Sequence, residues 1–127
     1  MPRTPEAAAL ARGLIRTALM TWRLNTLTDQ GELVISELVT NAVLHTRCSC
    51  IRVSIDRPSY DVVRIEVVDK SHRLPAIRPA GENDDNGRGL ALVDAFTTKW
   101  GTDMRSWGKL VWAEMKAEPD HEHHDAA

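Results

Sequence analysis

The segment Ser36-Glu37-Leu38-Val39-Thr40-Asn41-Ala42-Val43-Leu44-His45 sets the hardest condition on the fold. It holds no glycine or proline and reads as a helix interior. At about 100° per residue, Asn41 falls about 40° from Glu37, on the same face. Leu33 and Leu44 flank the pair on one side, Val34 and Leu38 on the other. Ile35, Val39, Ala42 and Val43 cover most of the remaining circumference. A helix that is apolar nearly all round is a buried one. The fold must therefore bury this helix and still give a carboxylate and an amide a partner or water. Two readings stay open on these residues alone. Glu37 and Asn41 either bond nearby backbone or basic groups, or they line a cavity that holds a ligand. In the second case an amide oxygen suits Mg²⁺, and a carboxylate one turn away suits proton abstraction.

The remaining chain is compatible with one domain built around that helix. Its 127 residues fit a single core, and 43% hydrophobic with 27% charged residues is an ordinary globular balance. A net charge of −2 does not favour a nucleic-acid surface, so no direct nucleic-acid partner is expected. No segment approaches the roughly 20 apolar residues of a membrane span, and the N-terminal apolar run is broken by Arg12 and Arg16. A cytoplasmic protein without membrane attachment is the expectation. Cys48 and Cys50 read as reduced thiols, since nothing supplies a four-ligand zinc set around them.

Thr4-Pro5 is a helix start, and Leu10, Leu14, Ala18 and Trp22, with Ile15 and Leu19 beside them, predict an amphipathic helix over 5–23. Thr26 or Thr28 can cap the next helix, which should end near His45 or Thr46. Gly31 costs it about 1 kcal/mol against Ala in a helix interior. Ile51, Val53 and Ile55 alternate, as do Val63, Ile65 and Val67, which predicts a hairpin of two strands. A long loop rich in Pro, Gly, Asp and Asn runs from Lys70 to Gly87. A short helix follows, with Leu90, Val93 and Phe96 inward, and then two strands around a turn near Arg105 and Ser106. The order predicts an α+β two-layer sandwich, a mixed and mostly antiparallel sheet covered on one face by helices. One domain should span 1–118, with a disordered polar tail over 119–127. The histidines of that tail, His121, His123 and His124, read as solvated. Trp100, Trp107 and Trp112 read as packing residues.

Two further motifs carry possible chemistry. Asp69 follows Val63, Ile65 and Val67 at period two, so it points to their buried side at the strand's end. It either turns the chain or serves as a fixed acceptor for an exocyclic amine. Asn86-Gly87-Arg88-Gly89-Leu90 places two glycines where a loop enters a helix. That is either a plain loop-to-helix turn or a place where backbone N–H groups meet phosphate. No P-loop and no G-x-G-x-x-G motif is present.

The order of these motifs is more specific than any one of them. E-x-x-x-N on a helix, Asp at the end of a later strand, a long loop and G-R-G-L opening a helix together resemble the GHKL (Bergerat) ATP-binding fold of gyrase, heat-shock chaperones and histidine kinases. "SELVTNAVLH", "VVDKS", "GRGLALVDAF" and "GKLVWAE" resemble more closely the bacterial anti-sigma factor and serine-protein kinase branch, the small ATP-binding regulators of actinobacteria. The resemblance covers about residues 9–114. It implies Asn41 as the Mg²⁺ ligand, Glu37 as the catalytic carboxylate and Asp69 as the adenine-amine acceptor. It implies Gly87, Arg88 and Gly89 as the phosphate turn, with Ser71 and Leu90 also at the nucleotide, and residues 70–86 as a lid over ATP. The implied partners are a sigma factor and a STAS-type anti-anti-sigma protein phosphorylated on serine or threonine, and a homodimer is possible. Relatives often begin with a strand before the first helix, whereas only four residues precede Pro5 here, so whether an edge strand is missing stays open. Leu110 stands where relatives often carry Thr beside the adenine. The rival reading is a non-catalytic ATP-sensing interaction module. A histidine kinase is disfavoured, because no helix with a phosphoacceptor histidine precedes the domain.

Overall fold

The computed structural model describes residues 6–45, 51–70 and 85–117, with backbone alone at His45 and over 85–90. Helix α1 spans Ala7–Thr21, and a single 3₁₀ turn, Asn25–Leu27, leads into helix α2, Thr28–His45. Strands β1, Arg52–Ser59, and β2, Val62–Asp69, form the expected hairpin. Helix α3 spans Asp85–Phe96, and strands β3, Lys99–Arg105, and β4, Gly108–Lys116, close the chain's described part. Every pairing among the described residues is antiparallel, in the order β1-β2-β4-β3. The fold is α+β, a sheet with helices on one face. Thr4, the proposed cap, Cys48, Cys50, Ser71 and the tail over 119–127 lie outside the described residues.

The core forms where the periodicities agree. Val63, Ile65 and Val67 of β2 and Val111, Ala113 and Met115 of β4 are buried. They meet Val34, Ile35, Leu38, Val39 and Ala42 of α2 in one cluster. The outer face of the sheet is polar. Arg64 stacks over the Trp112 ring at 4.4 Å and reaches Glu66 at 2.7 Å and Glu114 at 2.9 Å. Burial pulls the Arg64 pKa down, but those two hydrogen bonds outweigh it and the net direction is up. Such alternation, apolar inside and charged outside, is what an antiparallel sheet with one covered face requires.

α1 departs from the expected stripe. Its buried residues are Ala7, Ala11, Ile15 and Leu19, whereas Leu10 and Leu14 are 55% and 52% exposed. The cause is close approach to α2. A Cβ on Gly31 would stand 3.1 Å from Leu19 Cδ1 and 3.2 Å from Ile15 Cγ1, so the bare backbone of α2 receives those two side chains. Small residues at 7, 11 and 31 allow helix contact that the leucine stripe would hold apart. Across the same seam Arg12 donates to Ser36 Oγ at 3.0 Å, and Arg16 pairs with Glu32 at 2.8 Å. In α3, Val93 is buried as expected, but Phe96 is 40% exposed at the helix's last residue, and the Leu90 side chain lies outside the described residues.

Candidate functional site

Register and connectivity sort the elements into two ends. β4 begins opposite the end of β2, with Lys109 facing Asp69, and finishes with Lys116 opposite Val62. β1 begins beside the end of β2, Arg52 against Val68, and β3 ends beside the start of β4. At the far end lies a cavity of about 370 Å³, bounded by Thr26, Leu27 and Gln30 near the start of α2, by Ala95 and Phe96, and by Met115 and Lys116. α2 starts there, packs along β2 and β4, and joins Ile51 through residues 46–50. It therefore runs toward the end that carries Asp69. α3 finishes at the far end and packs on α2 and β3, so its first turn also points to the Asp69 end. The second half of α2, the end of β2, the start of β4 and the start of α3 thus share one end of the molecule.

At that end Asn41 is 7% exposed and Glu37 is half-buried. Asp69 is 1% exposed and faces the helices, as its period-two position predicted. It lines a cavity of about 540 Å³ together with Leu14, Ile51, Val53, Lys70 and Trp107. That volume falls within the roughly 300–1,000 Å³ typical of small-molecule sites. Leu14 and Trp107 were not expected at a site. Their signal in the sequence is weak, because each reads as packing until the helix rotation and the turn geometry are known.

The phosphate motif differs from expectation. α3 begins at Asp85, so Gly87, Arg88, Gly89 and Leu90 lie inside its first two turns rather than at a turn before it. The aspartates and asparagine at 84–86 favour a helix start, and anionic side chains there complement the helix dipole. Backbone N–H groups of a first turn still have no helical acceptor, so the donors required for an anion are retained.

β4 adds a residue that the sequence did not single out. Leu110, which stands where relatives often carry Thr, lies on the outer face of the sheet with Trp112 and Glu114. Lys109, one residue earlier, takes the inner position directly across from Asp69. It is fully buried, and its Nζ stands 3.7 Å from Asp69 Oδ2. The alternation Lys109, Val111, Ala113, Met115 already carries this placement. Gly108 makes the approach possible. Its φ is 153°, and a Cβ there would overlap the Asp69 carbonyl oxygen. Among the described residues no three His, Cys, Asp or Glu side chains gather as a metal site. No described helix is long and apolar enough to cross a membrane.

Known proteins agree with this architecture. The histidine kinase domain of the blue-light activated histidine kinase from Erythrobacter litoralis superposes with a TM-score of 0.54 at 21% identity, over 71% of this chain and 44% of that one, a likeness of fold. An uncharacterised protein of Streptomyces coelicolor is 41% identical over 58 residues, 44% of this chain and 55% of its own length, so the match spans about half of that relative. The family model for the histidine kinase-, DNA gyrase B- and HSP90-like ATPases matches residues 28–119, from the first residue of α2 to just beyond β4. With most of its length matched, and with the sheet and helices arranged as above, the chain belongs to that ATPase family.

Proposed function

We propose that this chain binds Mg-ATP at the Asp69 end and acts as an anti-sigma-type protein kinase, transferring phosphoryl to a serine or threonine of a STAS-type anti-anti-sigma partner. The observation that supports the reading is that Asp69 lines a cavity at the end of the molecule toward which the half of α2 bearing Glu37 and Asn41 runs. Asp69 accepts from the exocyclic amine of the base. The Asn41 amide oxygen holds Mg²⁺. The first-turn N–H groups of α3, around Gly87, Arg88 and Gly89, receive phosphate oxygens, and residues 70–86, with Ser71, cover them. Bound Mg-ATP supplies the phosphoryl group and the ADP leaving group. Glu37 takes the proton from the partner's hydroxyl at its carboxylate, and positioning and charge neutralisation account for most of the catalysis, as in phosphoryl transfer generally. The exposed Leu10 and Met20 of α1 offer apolar surface suited to a protein partner, a sigma factor or a second copy of the chain.

Incubation with radiolabelled ATP and candidate STAS partners tests this. Label should pass to a partner serine or threonine, and Glu37→Ala should cut transfer by about 10²–10⁴-fold while leaving ATP binding intact. Transfer unchanged by Glu37→Ala removes Glu37 as the base. Saturable ATP binding with no transfer to any partner leaves the chain an ATP-sensing interaction module.

A further inference from the structure

Among the described residues the sheet ends in two edge strands, β1 and β3. An edge presents a row of backbone N–H and C=O groups to which another strand can add, and charges, proline and bulges commonly blunt it. On β3 the charges are tied within the chain, Lys99 to Glu114 at 3.5 Å and Arg105 to Asp103 at 3.7 Å. On β1 the bulge and Pro58 come only after Asp56, so the stretch 52–56 is regular. Val53 and Ile55 there point toward the helices and are only partly buried. Arg52, Ser54 and Asp56 share the outer face, opposite Val68, Glu66 and Arg64 of β2. Arg52 and Asp56 are exposed, and neither forms an ion pair among the described residues. Arg64, across from Asp56, is taken up by Glu66 and Glu114.

This stretch is complementary to itself. Set antiparallel with Ser54 opposite Ser54 of a second copy, Arg52 faces Asp56 and Asp56 faces Arg52 on the outer side, while Val53 faces Ile55 on the helix side. Sliding the pair by two residues leaves the charges unmatched. Sliding it by four sets Arg52 against Arg52 or Asp56 against Asp56, and sliding by one inverts the faces. The helix layer agrees. Arg12 and Arg16 of α1 reach α2, whereas Leu14 on the other flank lines a cavity with Val53 of β1. That flank therefore lies on the side of the free edge. Leu10, about 40° from Leu14 and one turn earlier, is exposed on it.

We propose that β1 is a self-association edge: two copies pair antiparallel through 52–56 about a two-fold axis at Ser54, joining their sheets, with α1 of each copy beside the seam. The inference is independent of the nucleotide reading above. A short ladder with one helix flank is a small interface, so the dimer is a reversible one rather than an obligate one.

Sedimentation of the intact chain over a micromolar concentration series tests this. The wild-type protein should show a monomer–dimer equilibrium. Arg52→Asp, which faces only Val68 within its own sheet, sets like charges together at both ends of the seam. It should weaken the dimer about tenfold or more, since each change acts twice across the axis. Asp56→Arg should do the same. Mixed together, the two variants carry opposite charges at every facing position and should form a heterodimer about as tight as the wild-type dimer. Combined in one chain they should restore the dimer with the signs exchanged. The two positions lie about 13 Å apart along one strand, so such recovery comes from pairing between chains. Should Asp56→Arg fail to fold beside Arg64, the effect of Arg52→Asp decides alone. A wild-type chain that stays monomeric throughout the series overturns the proposal. A dimer that Arg52→Asp leaves undiminished overturns it too, as does failure of two folded variants to recover on mixing.

Discussion

At the scale of single residues, the protein concentrates cost where β2 meets β4. Asp69 and Lys109 face one another across the sheet with 1% and 0% of their surfaces exposed. Removing one member strands the other charge. Lys109→Met should lower stability by about 3–5 kcal/mol in urea titration, whereas Asp69→Asn/Lys109→Met should recover most of that loss. Equal stability of Lys109→Met and wild type would show that the pair is not held as described. Gly108 is the companion case. An alanine there must adopt a positive φ and overlap the Asp69 carbonyl, so Gly108→Ala should cost about 2 kcal/mol or more by the same measurement. Asp69 could be placed from its strand's alternation, and Lys109 obeys the same rule. It was hidden because a lysine at a strand's start reads as solvent-facing until its cross-strand partner is known.

At the scale of elements, the α1–α2 seam shows what one-dimensional periodicity omits. Both helices could be located from their apolar spacing, and their bounds agree within a residue or two. The face that α1 buries could not, because Ala7, Ala11 and Gly31 act by being small. A leucine stripe signals burial, whereas small residues signal close contact only once the neighbouring helix is known. Ile15→Ala, deep in that seam, should cost about 2–5 kcal/mol, while Leu14→Ala, half exposed, should cost under about 1 kcal/mol. Thermal denaturation of the two variants compares them directly. The Arg16–Glu32 bridge across the seam carries a pH signature. The hydrogen bond from Arg16 holds the Glu32 carboxyl below its ordinary value. Its contribution is thus present above the unfolded carboxylate pKa and disappears as pH falls through the lower folded value. Because Arg16 is exposed and Glu32 partly so, the loss should be small and should shrink further in high salt. A Glu32→Gln variant should match wild type at acid pH and fall slightly behind it near neutrality.

At the scale of the whole molecule, the sheet order brings together segments distant in the chain. The hairpins and the α+β class followed from alternation and turn residues, because these are local signals. The order β1-β2-β4-β3 is not local. It follows from the crossover through α3, and it sets Lys109 rather than Leu110 beside Asp69. The position of the glycine motif inside α3 depends likewise on where the helix starts, which composition indicates only to within a few residues. We propose that the end of the molecule bearing Asp69, Asn41 and the start of α3 is a cleft for an adenosine phosphate with magnesium. Calorimetric titration of the intact chain with ATP, with and without Mg²⁺, tests that claim most directly. Saturable one-to-one binding should appear, tightened by Mg²⁺ in the wild-type protein and indifferent to Mg²⁺ in Asn41→Ala. A folded protein that takes up no ATP at millimolar nucleotide, with magnesium present, would contradict it.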